Sequence, residues 1–482
     1  MSIEKAMPQW AADLKKNLET MADSVEQQLT GWKDNGAAAE PEQFGYQGTG
    51  KATAAIQSAI DAVAAQGGGV VRLANGDYIS GTIDFHSNVC LEIGKGARLL
   101  GSTDLADYPD RIAKRRTVMD TNMEMNQSLI FAEGCENICL RGEGTIDGRG
   151  SRANFPGDET AGSTPGRPFL IRVIDCSDVT VTGITLKDSP CWMQNYLNCD
   201  RVLIDHITVE NQANFNNDGI DIDGCRRVLV RGCKISSGDD SICFKGASLR
   251  PCEDVVVEDC ECYSSCNAVK IGTDTQGDFR NFLVRRCRIG GVSEQMRRVK
   301  VVGADSGVTF DMVDGGTAEN LFVEDVEIIR SRSPLYMRMD DRGRVLPEDP
   351  KPPVGTLRNI VFANITGEDN GPRGSYFLGI PAKSIERVLL YNVHLQMHPT
   401  ALPPTTEEEF GEMYGVYPDA HMLGEAQSLK PQDGTIRSGD APAYGLWAKY
   451  VDGLELSDYQ VTLTDDDPRP EYLLETGVIM AE

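Results

Sequence analysis

Residues 202–207, 228–233 and 255–260 have the sequences V-L-I-D-H-I, V-L-V-R-G-C and V-V-V-E-D-C. Each has apolar residues at its first, third and last positions, which is typical of a strand with one buried face followed by a bend. The copies up to residue 393 lie roughly 23–40 residues apart, the length of one coil with a loop of variable size. Further copies are Val179-Val181-Ile184, Phe282-Val284-Cys287, Leu321-Val323-Val326, Ile360-Phe362-Ile365, Val388-Leu390-Val393 and Leu454-Leu456-Tyr459. The sequence therefore predicts an all-β chain that forms a single-stranded right-handed parallel β-helix.

Cysteines occupy the last position in three successive copies of this pattern, as Cys233, Cys260 and Cys287. We expect their side chains to stack inside the coil as small apolar groups outside any disulfide. The chain has 14 cysteines, and their spacing does not resemble a disulfide framework. Residues 1–29 contain no apolar stretch of the length that a signal peptide or a membrane span needs. These features together predict a cytoplasmic protein.

The overall charge limits the classes of partner. The formal net charge is -26 at pH 7 and the pI is about 4.6. Such a field repels polyphosphates and anionic membrane surfaces, so we expect neither a nucleic acid nor a membrane partner. It also disfavours a highly charged polyanion unless a local basic patch offsets it.

Two helices are predicted ahead of the repeated strands. Ala54 to Ala65 has amphipathic spacing, ends near Gly67, and is expected to cap the N-terminal end of the β-helix. An apolar stripe within residues 1–40 predicts a second helix that either packs on its own chain or mediates a homo-oligomer. The stripe consists of Trp10, Leu14, Leu18, Met21, Val25, Leu29 and Trp32. The catalytic β-helix is expected over residues 41–464, and an acidic tail over residues 465–482.

The densest acidic cluster lies in two neighbouring copies of the pattern. Residues 216–221 read N-N-D-G-I-D, and residues 237–242 read S-G-D-D-S-I. Asp218 and Asp240 are separated by about one minimal coil, so we expect them on adjacent strands about 5 Å apart. Carboxylates this close cannot all ionise easily, and the resulting split in pKa suits acid and base catalysis. A solvated acidic turn and a calcium site are the alternatives.

This pair of motifs, N-x-D-G followed one coil later by G-D-D, resembles the polygalacturonase-type glycoside hydrolases of family 28, in particular bacterial intracellular-type members. Other segments similar to that family are F-G-Y-Q-G-T-G-K-A-T-A-A-I-Q-S-A-I-D at 44–61, R-P-F-L-I-R at 167–172, D-S-P-C-W at 188–192, P-L-Y-M-R-M-D-D-R-G-R at 334–344 and P-A-Y-G-L-W at 442–447. The resemblance implies that Asp239 is the general acid, and that Asp218 and Asp240 hold and deprotonate the attacking water. It also implies inversion at the anomeric carbon, with no metal and no other cofactor.

Two departures from the family pattern leave the substrate open. Where the family has a histidine in a G-H-G segment, this chain has Asn267, with Lys270 nearby as a possible substitute contact. The family's R-I-K motif, which implies a grip on a uronate carboxylate, matches Arg298-Val299-Lys300 by letter. A second alignment matches that motif to G-V-T-F-D at 307–311, and we favour it because this segment has strand character. It puts Asp311 in the substrate site, where a neutral sugar becomes plausible.

Several other side chains have two possible roles. Trp192 either stacks on a sugar or packs in the core. Arg338, Arg342 and Arg344 follow a strand, and they either line the cleft or face solvent.

We expect an exo-acting glycosidase that cleaves plant-type, pectic or related oligosaccharides. The alternatives are another β-helix carbohydrate enzyme, namely a lyase, an epimerase or a fructan transferase, and a non-catalytic binding scaffold.

Overall fold

The computed structural model describes residues 6–114, 117, 126–156, 166–346, 348–400, 440–475 and 478–480. The chain divides into two compact units, a first unit of residues 24–253 and a second unit of residues 1–23 and 254–482. Within each unit, short strands pair in parallel with strands of the neighbouring coil. The chain is a right-handed parallel β-helix, which confirms the predicted fold class.

The strands form two kinds of ladder, here called sheet A and sheet B. Sheet A strands of the first unit are Ala37–Ala39, Gly69–Leu73, Gly76–Ser80, Val89–Ile93, Ala97–Gly101, Glu136–Gly142, Thr145–Asp147, Ser177–Thr182, Thr185–Lys187, Asp200–Asp205, Thr208–Asn211, Arg226–Arg231 and Lys234–Ser237. Those of the second unit are Cys252–Glu258, Glu261–Ser264, Phe279–Arg285, Arg288–Gly290, Thr317–Ile329, Thr356–Asn370, Ile385–Met397, Val451–Leu463 and Val478–Met480.

Sheet B contributes the other strand of each coil. Its strands in the first unit are Ile83–Asp84, Ser128–Glu133, Phe169–Ile174, Gln194–Leu197, Ile220–Asp223 and Ile242–Lys245. In the second unit they are Asn267–Ile271, Ala304–Met312, Ser331–Met339, Ser375–Leu378, Leu446–Lys449 and Tyr472–Glu475.

The apolar positions of the repeated pattern form the core in the predicted register. In the first unit Val179 pairs with Val202, and Val202 pairs with Val228. In the second unit Leu321, Ile360, Val388 and Leu454 stack in the same way. All of these side chains are buried. Burial of one face per strand thus fixes the pairing, because a slip of one residue would turn every apolar side chain outward.

Residues at the corners of sheet A keep this register while coil length changes. Asn281, Asn320 and Asn359 adopt left-handed backbone conformations, which asparagine tolerates better than most residues. Asn320 Nδ2 donates to Asn281 Oδ1, and Asn359 Nδ2 donates to Asn320 Oδ1, each at 3.1 Å and across 39 residues of sequence. At a second position, Asn364 Nδ2 donates to Asp325 Oδ1 across 39 residues, and Asn392 Nδ2 donates to Asn364 Oδ1 across 28. The corner bonds are therefore the same for short and long coils.

All 14 cysteines lie in the described part of the chain, and all are buried thiols. Cys260 and Cys287 are in hydrogen-bond contact within the second unit, as stacking predicts. The first unit contains another series that the repeated pattern did not reveal. There the Cys176 thiol accepts a hydrogen bond from the Cys135 backbone N–H at 3.3 Å, and the Cys225 thiol accepts one from Cys199 N–H at 3.3 Å.

The two predicted helices are present as Gln9–Gln28 and Thr53–Ala64, and a short helix spans Glu294–Arg298. The 3-10 helices are Pro41–Phe44 and Leu105–Asp107. Ile56, Ile60 and Val63 of the capping helix are fully buried. Leu18 and Val25 of the N-terminal stripe are also buried on their own chain, while the predicted oligomer contact remains a prediction.

Two observations concern the ends of the chain. No helix among the described residues is long and apolar enough to cross a membrane. Tyr472–Glu475 pairs in parallel with Leu446–Lys449 of sheet B, so strand pairing continues beyond residue 464. The predicted domain boundaries at 40 and 464 remain predictions.

Candidate active site

Three aspartates converge in the first unit at the start of two adjacent sheet B strands. Asp218 precedes Ile220–Asp223, and Asp239 and Asp240 precede Ile242–Lys245. Ile220 pairs with Ile242, so Asp218 and Asp240 lie at the same level on neighbouring coils. The Gly219 N–H donates to the Asp240 carbonyl at 2.8 Å. The two motifs therefore lie side by side on adjacent coils, as the sequence predicts, and all three aspartate side chains are buried.

Amide side chains hold the loop that carries Asp218. Asn211 Nδ2 donates to the Asp218 carbonyl at 2.9 Å. Asn217 Nδ2 donates to the carbonyls of Ser189 and Cys191 at 2.9 and 3.0 Å. The backbone of this loop is thus fixed from two sides, which pre-organises the carboxylate that follows Asn217.

The buried guanidinium of Arg167 supports the same loop. It donates to the Phe215 carbonyl at 2.6 Å and to Asn216 Oδ1 at 2.9 Å. The segment R-P-F-L-I-R therefore contributes a loop support as well as a strand.

Burial and mutual repulsion control protonation in this cluster. The pKa of Asp218 is raised well above its usual value, first by burial and then by the negative charge of Asp239. The pKa of Asp221, a fourth carboxyl on the strand itself, is also raised well above its usual value by burial. The positive charge of Lys245 acts against both increases. Burial and the closeness of these carboxyls therefore disfavour ionisation of all of them at once.

Sequence reasoning missed the roles of Asp221 and Lys245, although both lie in or beside the quoted motifs. Lys245 Nζ lies 3.6 Å from Asp221 Oδ1, and both side chains are buried. Among the described residues, neither oxygen of Asp221 accepts a hydrogen bond, and Oδ1 of Asp218 accepts none. A signal was available, because Asp221 closes N-N-D-G-I-D and pairs with Cys243, two residues before Lys245.

Buried oxygens without donors are suited to hold water, a proton or a cation. The carboxylates of Asp218, Asp221, Asp239 and Asp240 are the kind of ligand that a hard cation such as Ca²⁺ prefers. The ammonium of Lys245 already supplies positive charge here, which weakens the case for a metal ion.

Trp192 belongs to this part of the first unit but is only 5% exposed. It clusters with Phe169 and Cys191, and its ring lies edge-on to Phe169 with centroids 5.5 Å apart. Lys245 Nζ lies 4.6 Å from the centroid of the indole ring. This placement favours the packing role over sugar stacking, because the ring that would stack on a sugar is covered by the protein.

The second unit brings together the remaining predicted site residues in a cluster of its own. Asn267 and Lys270 lie on one sheet B strand, and Lys270 pairs with Thr309 on the next. Asn267 Oδ1 accepts a hydrogen bond from Ser306 Oγ at 2.6 Å. Asn267, Lys270 and Thr309 are almost fully buried. The amide in the place of the family's histidine is therefore held in a hydrogen-bonded network.

Asp311 does not carry an isolated negative charge. Arg338 Nε and Nη2 donate to its two oxygens at 2.7 and 3.1 Å, and both side chains are buried. Tyr336 lies beside this pair, where burial raises the pKa of its phenol well above the usual value and the charge of Arg338 opposes the rise. The cluster therefore combines a neutral ion pair with the amine of Lys270.

The two other arginines of this segment also pair with aspartates. Arg342 Nε donates to Asp314 Oδ1 at 2.9 Å, and Arg344 Nη1 donates to Asp274 Oδ1 at 3.0 Å. Both side chains are less than a quarter exposed, so neither is simply solvated.

Arg298 lies at the end of the short helix Glu294–Arg298, where it pairs with Glu294 and is 72% exposed. Gly307–Asp311 is part of the strand Ala304–Met312. The strand that the second alignment requires at residues 307–311 is therefore present, whereas Arg298 lies on a short exposed helix.

The family model for glycosyl hydrolases family 28 matches residues 76–406, more than half of the chain. The chain belongs to this family. Family 28 membership is consistent with the paired N-x-D-G and G-D-D motifs and with the parallel β-helix. It makes the chain a glycosidase.

Known family 28 proteins are similar over much of the chain. A probable polygalacturonase of Vitis vinifera is 24% identical over 400 residues, covering 78% of each chain. Exopolygalacturonase X-1 of Emericella nidulans is 28% identical over 289 residues, covering 54% of this chain and 61% of the relative. Among solved structures, an exopolygalacturonase from Thermotoga maritima has a TM-score of 0.66 at 19% identity, covering 79% of this chain and 91% of its own. The family 28 exopolygalacturonase of Yersinia enterocolitica has a TM-score of 0.63 at 18% identity, covering 92% and 78%.

Proposed function

We propose that this family 28 enzyme is an exo-acting, inverting hydrolase of pectic or related oligosaccharides. The observation that carries the proposal is the buried cluster of Asp218, Asp239 and Asp240 on two coils in register. The exopolygalacturonases among its relatives support the substrate class and the exo mode.

In the proposed mechanism, Asp239 protonates the leaving glycosidic oxygen. Asp218 and Asp240 hold a water molecule and accept its proton as it attacks the anomeric carbon from the opposite face. Inversion follows because the water attacks directly, without a covalent sugar–enzyme intermediate. Burial and the charge of Asp239 raise the pKa of Asp218, and the positive charge of Lys245 opposes that rise, so Lys245 favours the ionised form that a base requires.

The sequence alone suggested that an isolated Asp311 would repel an acidic sugar. The cluster of Asn267, Lys270, Asp311 and Arg338 is more favourable to such a sugar. Arg338 neutralises Asp311, and Lys270 adds a positive charge. We therefore assign Asn267 and Lys270 to substrate binding and Asp311 to holding Arg338 beside them, and we favour a galacturonide over a neutral sugar. The buried thiols support a reducing, cytoplasmic location, where short imported oligosaccharides would be the substrates.

The first test incubates the protein with defined oligogalacturonides and with neutral oligosaccharides of equal length, with and without EDTA. We expect new reducing ends, release of monosaccharide from chain ends, and an anomeric configuration opposite to that of the substrate by proton NMR. Absorbance at 235 nm that disappears with EDTA would indicate a calcium-dependent lyase and would overturn the proposal.

The second test replaces the proposed acid. Asp239→Asn keeps the shape of the side chain but removes the proton donor, so we expect loss of turnover on natural oligosaccharides and partial rescue on an aryl glycoside with a good leaving group. Asp178→Asn, a partly exposed residue paired with Arg201 in the same unit, is the matched control. Wild-type turnover by the Asp239→Asn variant would remove Asp239 from the mechanism.

A further inference from the structure

Six sheet B strands of the first unit each contribute one side chain to a buried stack inside the coil. The register of these strands puts Ile83, Ile130, Ile171, Gln194, Ile220 and Ile242 at one level. All six are fully or almost fully buried. Gln194 is therefore a polar residue at a level that the other five strands fill with isoleucine. It lies on the coil directly before the one that carries Asp218.

Two hydrogen bonds satisfy the buried amide of Gln194. Its Nε2 donates to the Gly219 carbonyl at 3.1 Å, and its Oε1 accepts from the Tyr196 hydroxyl at 2.8 Å. Tyr196 is two residues further along the same strand, so its side chain lies on the same face of the strand, and it is also fully buried. Gln194 and Tyr196 are here called the first polar pair. Tyr196 fixes the amide in the orientation that donates to Gly219.

The carbonyl that Gln194 holds belongs to the residue that follows Asp218. Among the described residues, no backbone N–H donates to the Gly219 carbonyl, so the side chain of Gln194 supplies its hydrogen bond. On the other side, a Cβ atom at residue 219 would lie 2.5 Å from the Ser241 carbonyl oxygen. Gly219 is thus held closely between two neighbouring coils, and Asp218 is attached to it directly.

A second buried pair has the same relation to the turn on the next coil. Ser237 Oγ donates to the Asp239 carbonyl at 2.8 Å, and Ser241 Oγ lies within hydrogen-bond distance of Ser237 Oγ at 2.9 Å. Both serines are fully buried. Ser237 and Ser241 are here called the second polar pair. Each of the two turns that carry the catalytic aspartates therefore has a carbonyl held by a buried polar side chain.

Burial of amide and hydroxyl groups is unfavourable unless hydrogen bonds compensate for the loss of water. In both pairs the compensating bonds include one to a carbonyl of an aspartate-bearing turn. Fully bonded polar groups in the core restrict the surrounding structure to one arrangement. Catalytic carboxyls need this restriction, because they must be held within about 0.5 Å of the productive geometry.

We infer that the two polar pairs are positioning residues of the active site. The first pair fixes the turn that carries Asp218, and the second pair fixes the turn that carries Asp239. Neither pair touches the substrate, because both act through the backbone from inside the coil. The inference rests on the proposed function, since that function gives the two aspartates their catalytic roles.

Three variants remove the proposed contacts, and a fourth is a matched control. Gln194→Met removes the amide but keeps a side chain of similar length, Tyr196→Phe removes only a hydroxyl, and Ser237→Ala removes the donor to Asp239. The control is Tyr78→Phe in the same unit. Tyr78 is also buried, and its hydroxyl donates to Glu42 Oε1 at 2.8 Å, far along the chain from both turns.

The assay measures kcat and KM for tri-galacturonate, well below the Tm of every variant, so that loss of fold is not counted as loss of turnover. We expect Gln194→Met to lower kcat about tenfold or more and to change KM less than about twofold, because misplaced catalytic groups slow the chemical step. Ser237→Ala should behave likewise. The double variant Gln194→Met, Tyr196→Phe should lose no more than Gln194→Met alone, since Tyr196 acts through Gln194. Tyr78→Phe should keep the wild-type kcat.

Several kinetic results would overturn the inference. These are a wild-type kcat in both Gln194→Met and Ser237→Ala, a rise in KM at constant kcat, or an equal loss of kcat in Tyr78→Phe. If Gln194→Met does not fold, Tyr196→Phe tests the first pair by the same criteria, because it removes a single atom from the core.

A crystal structure of Gln194→Met gives a readout that needs no substrate. We expect the Asp218 carboxylate to move by more than about 0.5 Å from its wild-type position. An unchanged carboxylate would overturn the inference. Failure of the proposed function is a separate result: the wild-type enzyme would then release no galacturonate, while the position of Asp218 in the variant would still test the first polar pair.

Discussion

The buried pair of Asp311 and Arg338 allows a quantitative test, because both side chains are at least 96% shielded from solvent. Arg338→Met keeps most of the apolar stem of the side chain but leaves Asp311 without its cation. Breaking a buried pair from one side costs about 3–5 kcal/mol. For a cooperative unit of 150–250 residues, each kcal/mol lowers Tm by about 2–4 °C, so we expect Tm to fall by roughly 6–20 °C.

Differential scanning calorimetry measures this change directly. The control is Arg358→Met, which removes an arginine that pairs with Glu319 in the same unit but is about half exposed. Exposed pairs contribute about 0–1 kcal/mol, so this variant should lose no more than a few degrees. The double variant Asp311→Leu, Arg338→Met should recover most of the lost stability, because no charge then stays buried alone.

Two outcomes would refute this reasoning. If Arg338→Met loses no more stability than Arg358→Met, the pair is not desolvated as the structure indicates. If the double variant is as unstable as the single one, the loss comes from packing and not from an uncompensated charge.

Three further predictions concern the aspartate cluster and the exposed helix. Lys245→Gln should move the acid limb of the pH–rate profile to higher pH, because loss of the cation further raises the pKa of Asp218 and Asp221; an unchanged limb would contradict this. The change in Tm caused by Asp221→Asn should be more favourable at pH 7 than at pH 4, because a carboxyl whose folded pKa is raised makes the protein less stable as pH increases above the unfolded pKa of that carboxyl; equal changes in Tm at both pH values would refute it. Arg298→Ala combined with Lys300→Ala should change KM for a galacturonide less than about twofold, whereas loss of two charge-assisted bonds would raise it far more; a steep rise in KM would restore the first alignment.

The strand register was predictable because burial of alternate residues is a local property of the sequence. The same holds for the meeting of Asp218 and Asp240, since the separation of one coil fixes their level on adjacent strands. The partner of Asp311 was not predictable, because Arg338 lies 27 residues away and the coil between them has no fixed length.

The cysteine series that contains Cys135 and Cys176 was not predicted from the sequence, for a different reason. Its thiols lie between the strands and bond to backbone groups, outside the apolar positions of the repeated pattern.

The corner bonds between asparagines join residues 39 positions apart in one part of the chain and 28 in another. At one position of the coil, Asn364 and Asn392 make the same kind of bond to the preceding coil over 39 and 28 residues, so loop length is not coupled to core geometry. An insertion in such a loop changes the surface without changing which strands pair. Selection and protein engineering can therefore exchange whole loops while the paired strands on either side, and the side chains that they position, keep their register.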